Sequence, residues 1–325
     1  MKVSHFIAKI TNIKIIINWI YFNLLKIKKN KHPIFFSCHL LKSKMVFLIG
    51  DHFTFLLPLS IFKYKRNDYY LHYAPNQFSK VLYTYPHIVR HPDDEVFLTT
   101  YLKSDDNYID IGANIGTTTL ASAVVVGNSG KVIAYEAHPE TFKYLIRSVM
   151  NNSGLISKNN TSLISRIILR NVALGNSNNK INFSNIKYHD DINHVIIDNE
   201  NKNVLSVSMT RLDDELLPAH INLIKIDVEG YELEVFRGAK NILSRTEAIF
   251  FEIFDKNSAI FDFNSKEILE FLFDLGLSIF SIDIEKQTFK KVSRDTYRGS
   301  PNCENMIAVR SVEDLISRTG FTINK

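Results

Sequence analysis

The sequence predicts an α/β fold in which a mainly parallel, doubly wound sheet is covered by helices on both faces. From about residue 92, seven short apolar segments typical of strands alternate with segments typical of helices. Acidic residues lie at the ends of four of these strand segments, and glycines mark the first turn from strand to helix. Alternation of this kind requires parallel strands joined by helical crossovers.

The elements follow from the apolar pattern taken in chain order. The predicted strands are Tyr108–Ile111, Lys131–Glu136, Ile167–Val172, Leu223–Asp227, Ala248–Ile253, Ser278–Ile282 and Met306–Val309. The predicted helices are 92–102, Thr117–Val126, Glu140–Asn151, Tyr231–Ser244 and Ser265–Leu275. No helical pattern separates the last two strands, which predicts a terminal hairpin. The Asn-rich stretch from Asn176 to Asn203 predicts an inserted loop or hairpin on the carboxyl side of the sheet.

The composition is that of a globular protein with free thiols. The chain has 325 residues, of which 45% are apolar and 22% are charged. These values exclude disorder as the dominant state and allow one large domain with an extension. The two cysteines, Cys38 and Cys303, lie far apart and form no spacing typical of a metal site. We therefore expect a reducing, cytoplasmic compartment.

The basic charge of the chain is confined to its N-terminal segment. The net charge is +5, but residues 1–44 hold nine lysines and no Asp, Glu or Arg, whereas residues 45–325 hold 30 Lys and Arg against 34 Asp and Glu. A slightly acidic body disfavours nucleic acid as a partner. Two interpretations of the N-terminal segment stay open: a helix packed on the α/β domain or a second subunit, and a basic amphipathic helix in peripheral contact with an anionic membrane.

Changes of pattern divide the chain into three regions. We predict an N-terminal extension over residues 1–90, in which a basic helix precedes short strands and turns. The α/β domain covers residues 91–310, and a C-terminal tail covers residues 311–325. The sequence leaves the oligomeric state open.

The first strand-to-helix turn carries the strongest local signal, Asp110-Ile-Gly112-Ala113-Asn114-Ile-Gly116. The missing Cβ atoms of the two glycines allow a ligand or a strand to approach the backbone closely. The carboxyl ends of parallel strands are also where doubly wound sheets bind nucleotides. Asn114 stands where the dinucleotide fingerprint has a glycine facing a pyrophosphate, and the pair Asp110 and Asn114 instead suits an amino-acid moiety. A simple turn without a ligand stays an alternative.

The second signal is Glu136-Ala-His138-Pro139, at the end of the next strand. Glu136 follows Asp110 by 26 residues, the length of one strand-helix-strand unit. A carboxylate at this position can accept hydrogen bonds from both ribose hydroxyls of an adenosine. This chemistry does not distinguish between adenosine-containing cofactors. His138 either lines the pocket or serves only as a residue at the start of a helix.

The third signal is Lys225-Ile-Asp227-Val-Glu229-Gly230, where a strand delivers two carboxylates to the same edge of the sheet. Asp227 and Glu229 could orient an acceptor hydroxyl, take its proton, or hold the cofactor. A divalent cation is an alternative, but no His partner stands at metal-ligand spacing, so we predict no metal. Glu252, at the end of the next strand, is a further candidate base.

Together the three blocks resemble the FkbM family of S-adenosylmethionine (SAM)-dependent methyltransferases. The family signature is similar to D-x-G-A-N-x-G, then E-x-H-P, then L-K-I-D-V-E-G-x-E-x-x-V-x-x-G-A. The chain matches these blocks from Asp110, from Glu136 and from Ile224, and the resemblance covers about residues 90–310. The stretches Asn171–Gly175 and Thr210–Asp214 are also similar.

The resemblance implies a Rossmann-like, seven-stranded sheet with an antiparallel last strand and SAM as the methyl donor. It implies O-methylation, usually of a sugar, a glycan or a glycosylated metabolite. The residues that it places at the cofactor are Asp110, Gly112, Ala113, Asn114, Gly116 and Glu136, with Asn171 and Val172 near the adenine. We expect Asp227 to orient and deprotonate the acceptor hydroxyl, together with Glu229 or Glu252.

Two rival functions stay open. An NAD-dependent oxidoreductase could use the same sheet, although the missing GxGxxG motif and a carboxylate beside a pyrophosphate weigh against it. A non-catalytic scaffold at a membrane surface would explain the lysine-rich N-terminus. The intact residues of the cofactor turn argue against that second rival.

Overall fold

The computed structural model describes residues 63–66, 69–72, 92–127, 129–153, 163–185, 193–196 and 203–324. The strands are β1 Lys63–Arg66, β2 Tyr69–His72, β3 Asn107–Ile111, β4 Lys131–Tyr135, β5 Ile167–Arg170, β6 Ala173–Leu174, β7 Asn179–Ser184, β8 Val204–Thr210, β9 Ile221–Ile226, β10 Thr246–Ile253, β11 Ser278–Asp283, β12 Thr288–Lys291, β13 Glu304–Val309 and β14 Thr322–Asn324. The helices are α1 Pro92–Tyr101, α2 Thr117–Val125, α3 Pro139–Met150, α4 Glu232–Arg237, α5 Lys240–Ser244, α6 Asp255–Ser258, α7 Ser265–Asp274 and α8 Val312–Thr319.

A nine-stranded sheet forms the centre, in the order β14-β12-β11-β13-β10-β9-β3-β4-β5. The strands β5, β4, β3, β9 and β10 are parallel, whereas β13 is antiparallel to both of its neighbours. The seven predicted strands are therefore consecutive in the sheet, and the last of them is antiparallel. The prediction of a Rossmann-like, mainly parallel sheet with an antiparallel last strand is confirmed, and β12 and β14 extend it.

The end of the chain differs from its prediction in two respects. The last two predicted strands pair in antiparallel register as expected, as β11 and β13, but their connection is not a direct hairpin. The chain first forms β12 beside β11, and β13 then inserts between β10 and β11, where both of its edges find hydrogen-bonding partners. Residues 311–325, expected to form a tail, contain α8 and the strand β14, which pairs with β12. Ser311 caps α8 by accepting the amide hydrogen of Asp314 at 3.0 Å.

The helix predicted over Tyr231–Ser244 is divided into α4 and α5. The backbone of Gly238 lies against the carbonyl oxygen of Gly175, which would be 1.8 Å from a Cβ atom at residue 238. This close approach joins α4 to the segment around β6. The other four predicted helices agree with the structure to within one residue at each end.

Alternate residues of the central strands build two cores, one on each face of the sheet. Ile109 and Ile224 belong to the core that packs against α4, α5 and α7. Tyr108 and Leu223 belong to the core that packs against α1, α2 and α3. Near-continuous burial of β9 on both faces is what a central parallel strand requires.

Part of the predicted N-terminal extension contributes to the second core. In β2, Tyr69 and Leu71 are buried in it, and the Tyr69 hydroxyl donates a hydrogen bond to Glu95 at 3.1 Å. The predictions for residues 1–62, including the basic helix, lie outside the described residues. Among the described residues, no helix combines the length and the apolar composition that crossing a bilayer requires.

A small three-stranded sheet, in the order β6-β8-β7, lies between β5 and β9 in the chain. The Asn-rich stretch predicted as a loop or hairpin supplies β7, which pairs with β8 in antiparallel register from Asn179 opposite Met209 to Ser184 opposite Val204. The hairpin prediction is confirmed for these strands. Residues 186–192 and 197–202 of the stretch lie outside the described residues.

Candidate cofactor and active site

The segments that follow β3, β4 and β9 are joined by backbone hydrogen bonds at the carboxyl edge of the sheet. The amides of Gly112 and Ala113 both donate to the carbonyl of Tyr135 at 3.0 Å. The amide of Asp227 donates to the carbonyl of Ile111 at 3.1 Å. The structure therefore brings the three predicted sequence blocks together at one edge.

Gly112 is required by the approach of a neighbouring strand. Its φ is +79°, and a Cβ atom there would lie 1.8 Å from the carbonyl oxygen of Asp227. Gly116 has a φ of +96° and precedes α2, and the space of its missing Cβ is taken by Leu145 of α3. The sequence allowed either a ligand or a strand to approach the backbone of Gly112 closely, and the structure shows the approach of a strand.

Asp110 lies fully buried beneath the first turn. Its Oδ2 atom accepts hydrogen bonds from the hydroxyls of Thr118 at 2.9 Å and Thr119 at 2.5 Å, both in the first turn of α2. A carboxylate near a helix N-terminus is also stabilised by the helix dipole. Burial, and then the charge of Asp110, raise the pKa of the Tyr108 hydroxyl well above its ordinary value. Asp110 thus holds α2 in position beneath the turn.

Asn114 sits above Asp110 in the same turn, with a φ of +50° that Asn tolerates better than most residues. Its backbone amide donates to Glu136 at 2.9 Å, which connects the first and second blocks. Its side-chain Oδ1 atom is buried and has no hydrogen-bond partner among the described residues. A buried acceptor of this kind is costly unless a donor completes it. An ammonium group, such as that of SAM, is a donor that fits the position.

Glu136 links two loops through both of its carboxylate oxygens. Oε2 accepts from the amide of Asn114, and Oε1 accepts from the amide of His138 at 2.8 Å. The side-chain amide of Asn171 donates to the carbonyl of Glu136 at 2.8 Å, and Val172 packs beside it against the core. These bonds fix the orientation of the carboxylate at the strand end, with Asn171 and Val172 beside it, and the predicted contact of these two residues with an adenine stays a prediction.

His138 is the N-cap of α3. Its Nδ1 atom accepts from the amide of Thr141 at 3.3 Å, and the ring is buried. Pro139 follows as the first helical residue, which suits its fixed φ. Of the two interpretations of His138, the structure shows the residue at the start of a helix.

Lys225 and Asp227 form an ion pair at the end of β9. The Lys225 Nζ atom lies 2.9 Å from Asp227 Oδ2, and the side chains are 4% and 31% exposed. Burial alone would lower the pKa of Lys225, but the charges of Asp227, Asp110 and Asp94 outweigh burial and raise it. Lys225 therefore stays protonated and keeps a positive charge directly beneath the more accessible Asp227.

The turn after β9 holds two glutamates in different ways. Glu229, with a φ of +54°, accepts from the side-chain amide of Asn257 at 3.2 Å. Glu232 is buried and accepts from the amides of Val228 at 3.2 Å and Gly230 at 3.1 Å. Burial raises the pKa of Glu232 to about 7, although the backbone donors oppose the shift. Glu232 was not singled out from the sequence and fixes the turn that carries Asp227.

Glu252 lies at the carboxyl end of β10, on the same face as Lys225. Burial, and then the charge of Asp227, raise the pKa of Glu252 to about 8. The thiol of Cys303 is within hydrogen-bonding reach of Glu252, and burial and then the Glu252 charge raise the pKa of that thiol. Asn305 stands opposite Glu252 in the strand register and donates from its side chain to Asp94 at 2.7 Å.

Sequence reasoning missed Cys303, Asn305 and Asp94 as neighbours of the site. Asn305 lies at the start of β13 on the face of Ile307 and Val309, which is a weak signal in one sequence. Within the described ranges, no three His, Cys, Asp or Glu side chains are grouped so that they could hold a metal ion.

The part of the chain that carries the three sequence blocks also matches a known family. Residues 110–279 fit the family model of the methyltransferase FkbM domain, and they make up more than half of the chain. The chain belongs to the FkbM methyltransferase family. Membership confirms the family predicted from the three blocks and, at the level of the family, the class of enzyme and the SAM cofactor.

Three proteins illustrate the range of similarity to this chain. Hexuronic acid methyltransferase AglP of Haloferax volcanii is 26% identical over 151 residues, which are 46% of this chain and 57% of the relative. The chain therefore matches little more than half the length of this curated relative. Among solved structures, methyltransferase FkbM of Methylobacillus flagellatus is 16% identical with a TM-score of 0.40, covering 63% of this chain and 44% of that one. A SAM-dependent O-methyltransferase of Thermotoga maritima is 16% identical with a TM-score of 0.37, covering 74% and 72%. At these values the likeness to the two structures concerns the fold alone.

Proposed function

We propose that the protein transfers the methyl group of SAM to a hydroxyl of a sugar, a glycan or a glycosylated metabolite. The observation that carries the proposal is the meeting of Asn114, Glu136 and Asp227 at one sheet edge, with Glu252 on the next strand. The hexuronic acid methyltransferase relative supports a sugar as acceptor. The slightly acidic composition outside residues 1–44 supports a small molecule or glycan over nucleic acid as the partner.

The first two strand ends would hold the cofactor. The buried Oδ1 atom of Asn114 would accept a hydrogen bond from the ammonium group. The Glu136 carboxylate, fixed by two backbone amides, would bind the ribose hydroxyls, with Asn171 and Val172 at the adenine. Asp110 acts through α2 as a positioning residue. SAM, when bound, supplies an electrophilic methyl group on a sulfonium.

The third and fourth strand ends would hold and activate the acceptor. Lys225 is paired with Asp227, and Asp227 would accept a hydrogen bond from the acceptor hydroxyl and orient it. Glu252, whose pKa is about 8, is better matched to taking the proton near neutral pH. Glu229 is held by Asn257 and supports the turn. Alignment of this kind can lower a barrier by as much as about 7–11 kcal/mol, whereas a base adds about 10²- to 10⁴-fold.

Calorimetry with the full chain tests the cofactor site. We expect SAM to bind and NAD not to bind. Asn114→Gly removes the orphan oxygen while suiting the positive φ, and it should weaken SAM binding by about tenfold to a hundredfold. Gln287→Gly is the matched control, because Gln287 has a φ of +54° in an exposed turn. Tight NAD binding, or equal SAM affinity in all three proteins, would overturn the proposed cofactor site.

Transfer of a radiolabelled methyl group to polysaccharide precursors tests the activity itself. In the wild type, kcat/KM should rise with pH through an inflection near the Glu252 pKa of about 8, because the base must be ionised. Glu252→Gln should lose the inflection and most of the rate, while its SAM affinity stays unchanged. Asp227→Asn should lose rate, and its inflection should move to a lower pH, because the Asp227 charge helps to raise the Glu252 pKa. Near-normal transfer by both variants would remove the proposed roles.

A further inference from the structure

A cavity of about 310 Å³ lies beside Glu252, outside the residues assigned to the cofactor. The carboxyl ends of β10 and β11 and the start of β13 surround it. Its described lining residues are Phe250, Ser281, Ile282, Ile284, Cys303, Glu304 and Asn305. The volume is at the lower end of the range for small-molecule sites. It suits a single small ring and not an extended ligand.

The cavity lies next to the end of β10 that carries Glu252. Phe250 and Cys303 line it, and the Glu252 charge contributes to the raised pKa of the Cys303 thiol. Asn305 lines it and is the cross-strand partner of Glu252 in the register of β10 and β13. A molecule in the cavity would therefore lie one strand away from the group proposed to take a proton.

The segment that carries Cys303 is fixed by a separate hydrogen-bond network. The Ser265 hydroxyl, which itself bonds to Asp255, accepts from the hydroxyl of Tyr297 at 2.9 Å and from the amide of Ser300 at 3.0 Å. The amide of Asp255 donates to the carbonyl of Ser300 at 3.0 Å. These contacts hold residues 297–300, the segment that leads into the lining residues Cys303, Glu304 and Asn305.

The charge on the described lining of the cavity has one sign. Glu304 lines it, none of the seven described lining residues is basic, and the lining residue Asn305 is bonded to Asp94 and stands opposite Glu252. The Lys225 ammonium is nearly inaccessible and already bound to Asp227. Lys290 stands opposite Ser281 in the register of β11 and β12, but it is exposed, where solvent and salt screen its charge.

We infer that this cavity is the acceptor subsite and that it binds an uncharged sugar ring, discriminating against a uronate. The inference rests on the proposed function and adds the class of acceptor. Hydroxyl, thiol, amide and carboxylate groups of the lining can hydrogen-bond to ring hydroxyls, and Phe250 and the two isoleucines can contact the apolar ring face. A ring carboxylate would face Glu304 with no basic side chain among the described lining residues, and like charges at an interface are strongly unfavourable. The relative AglP is named for a hexuronic acid, so the two proteins would differ in acceptor charge.

Ligand-observed NMR with the full chain tests the subsite without relying on turnover. The probes are methyl glycosides of glucose, galactose and mannose and the corresponding methyl uronates, each titrated in the presence of saturating SAM. At low salt, at least one neutral glycoside should bind about tenfold or more tightly than its uronate, and added salt should narrow the difference. Equal or tighter binding of every uronate, or binding of no glycoside, would overturn the inference.

Two pairs of variants locate the binding. Glu304→Lys should reverse the preference between neutral glycoside and uronate, whereas Glu313→Lys, the same change in α8 at the opposite edge of the sheet, should not. Ser281→Trp should fill the cavity and abolish glycoside binding, whereas Ser278→Trp, three residues away on the same strand, should retain it. Glycoside binding that is indifferent to Glu304→Lys and Ser281→Trp would also overturn the inference.

SAM affinity, measured on the same samples, keeps the two proposals distinguishable. Each variant that binds SAM with the wild-type affinity is folded, so a change in its glycoside binding reports on the cavity. Normal SAM binding and methyl transfer with no dependence on the cavity would leave the proposed function standing and remove the subsite. Failure of the wild type to bind SAM would remove the proposed function itself.

Discussion

The two edges of the central sheet use charged residues in opposite ways. At the amino edge, Arg318 of α8 bonds to Asp106 at 2.7 Å and to Glu247 at 3.1 Å, and its guanidinium lies 5.1 Å from the centre of the Tyr101 ring. Asn222 donates to the same Glu247 at 3.1 Å. Asp106 and Glu247 thus share the guanidinium of Arg318 as a partner of opposite sign.

At the carboxyl edge, acidic groups outnumber basic ones and the backbone adopts unusual conformations. Lys225 is buried and paired with Asp227, whereas the pKa values of Glu232 and Glu252 are raised by burial and by the Asp227 charge. Asn114 has a positive φ in the same region, as does Glu229. The comparison teaches that one edge is organised for stability, whereas the other retains unfavourable features that a ligand can relieve.

The largest expected effect concerns the close contact at the carboxyl edge. Gly112→Ala should destabilise the protein by about 4 kcal/mol, because the new methyl group would overlap the Asp227 carbonyl. Gly276→Ala is the control, since Gly276 has a similar φ of +76° with nothing within 4 Å, and should cost only about 1 kcal/mol. Urea unfolding measures both variants. Equal costs would show that the strand contact is unimportant.

The next effect is the pH dependence that a buried acid produces. The Glu232 pKa of about 7 in the folded state exceeds its ordinary value of 4.5, so the folded state holds the proton more tightly. Its contribution to stability is full below about pH 4.5 and is lost as the pH rises through 7, by about 3 kcal/mol in all. Glu232→Gln should abolish the Glu232 contribution to the pH dependence of the unfolding free energy. The contribution of Glu252, which extends to about pH 8, should remain. An unchanged slope of unfolding free energy against pH would contradict this assignment.

A smaller effect is expected from breaking the pairs at the amino edge. Arg318→Ala should destabilise the protein by about 2 kcal/mol, less than for a fully buried pair because the side chain is 18% exposed. SAM affinity should not change, since the edge lies at the other end of the strands. Arg294→Ala, which removes an exposed arginine paired with Asp274, should leave the urea midpoint unchanged. Loss of SAM binding in Arg318→Ala would break the division between the edges.

The smallest effect separates the members of the amino edge. His220→Ala should change stability by less than about 0.5 kcal/mol, because the ring is largely exposed and Glu247 keeps its bonds to Arg318 and Asn222. The same unfolding measurement applies. A loss as large as that of Arg318→Ala would mean that the whole edge acts as one cooperative network.

The sequence predicted the strand ends better than the directions of their side chains. The order of strands and helices follows from apolar periodicity, and the blocks that contain Asp110, Glu136 and Asp227 meet as expected, because the carboxyl ends of parallel strands share an edge. The pattern could not show that Asp110 turns beneath the loop. That orientation depends on two threonine hydroxyls of α2, whose positions only the packed helix defines.

The last third of the sheet was harder to predict for a physical reason. Cys303 and Asn305 reach Glu252 only because β13 inserts between β10 and β11, and this pairing depends on hydrogen bonds between strands far apart in the chain. No local residue pattern encodes such a register. The roles of the predicted site residues stay predictions until the variants above are measured.

The hydrogen bonds that join the three loops have a consequence for motion. Hydrogen bonds between neighbouring strand ends are donated by the backbone amides of Gly112, Ala113, Asn114 and Asp227. Their protons should therefore exchange with deuterated solvent in one correlated opening, and not loop by loop. If the loops open together, we expect a ligand that enters or leaves this edge to displace other parts of the chain.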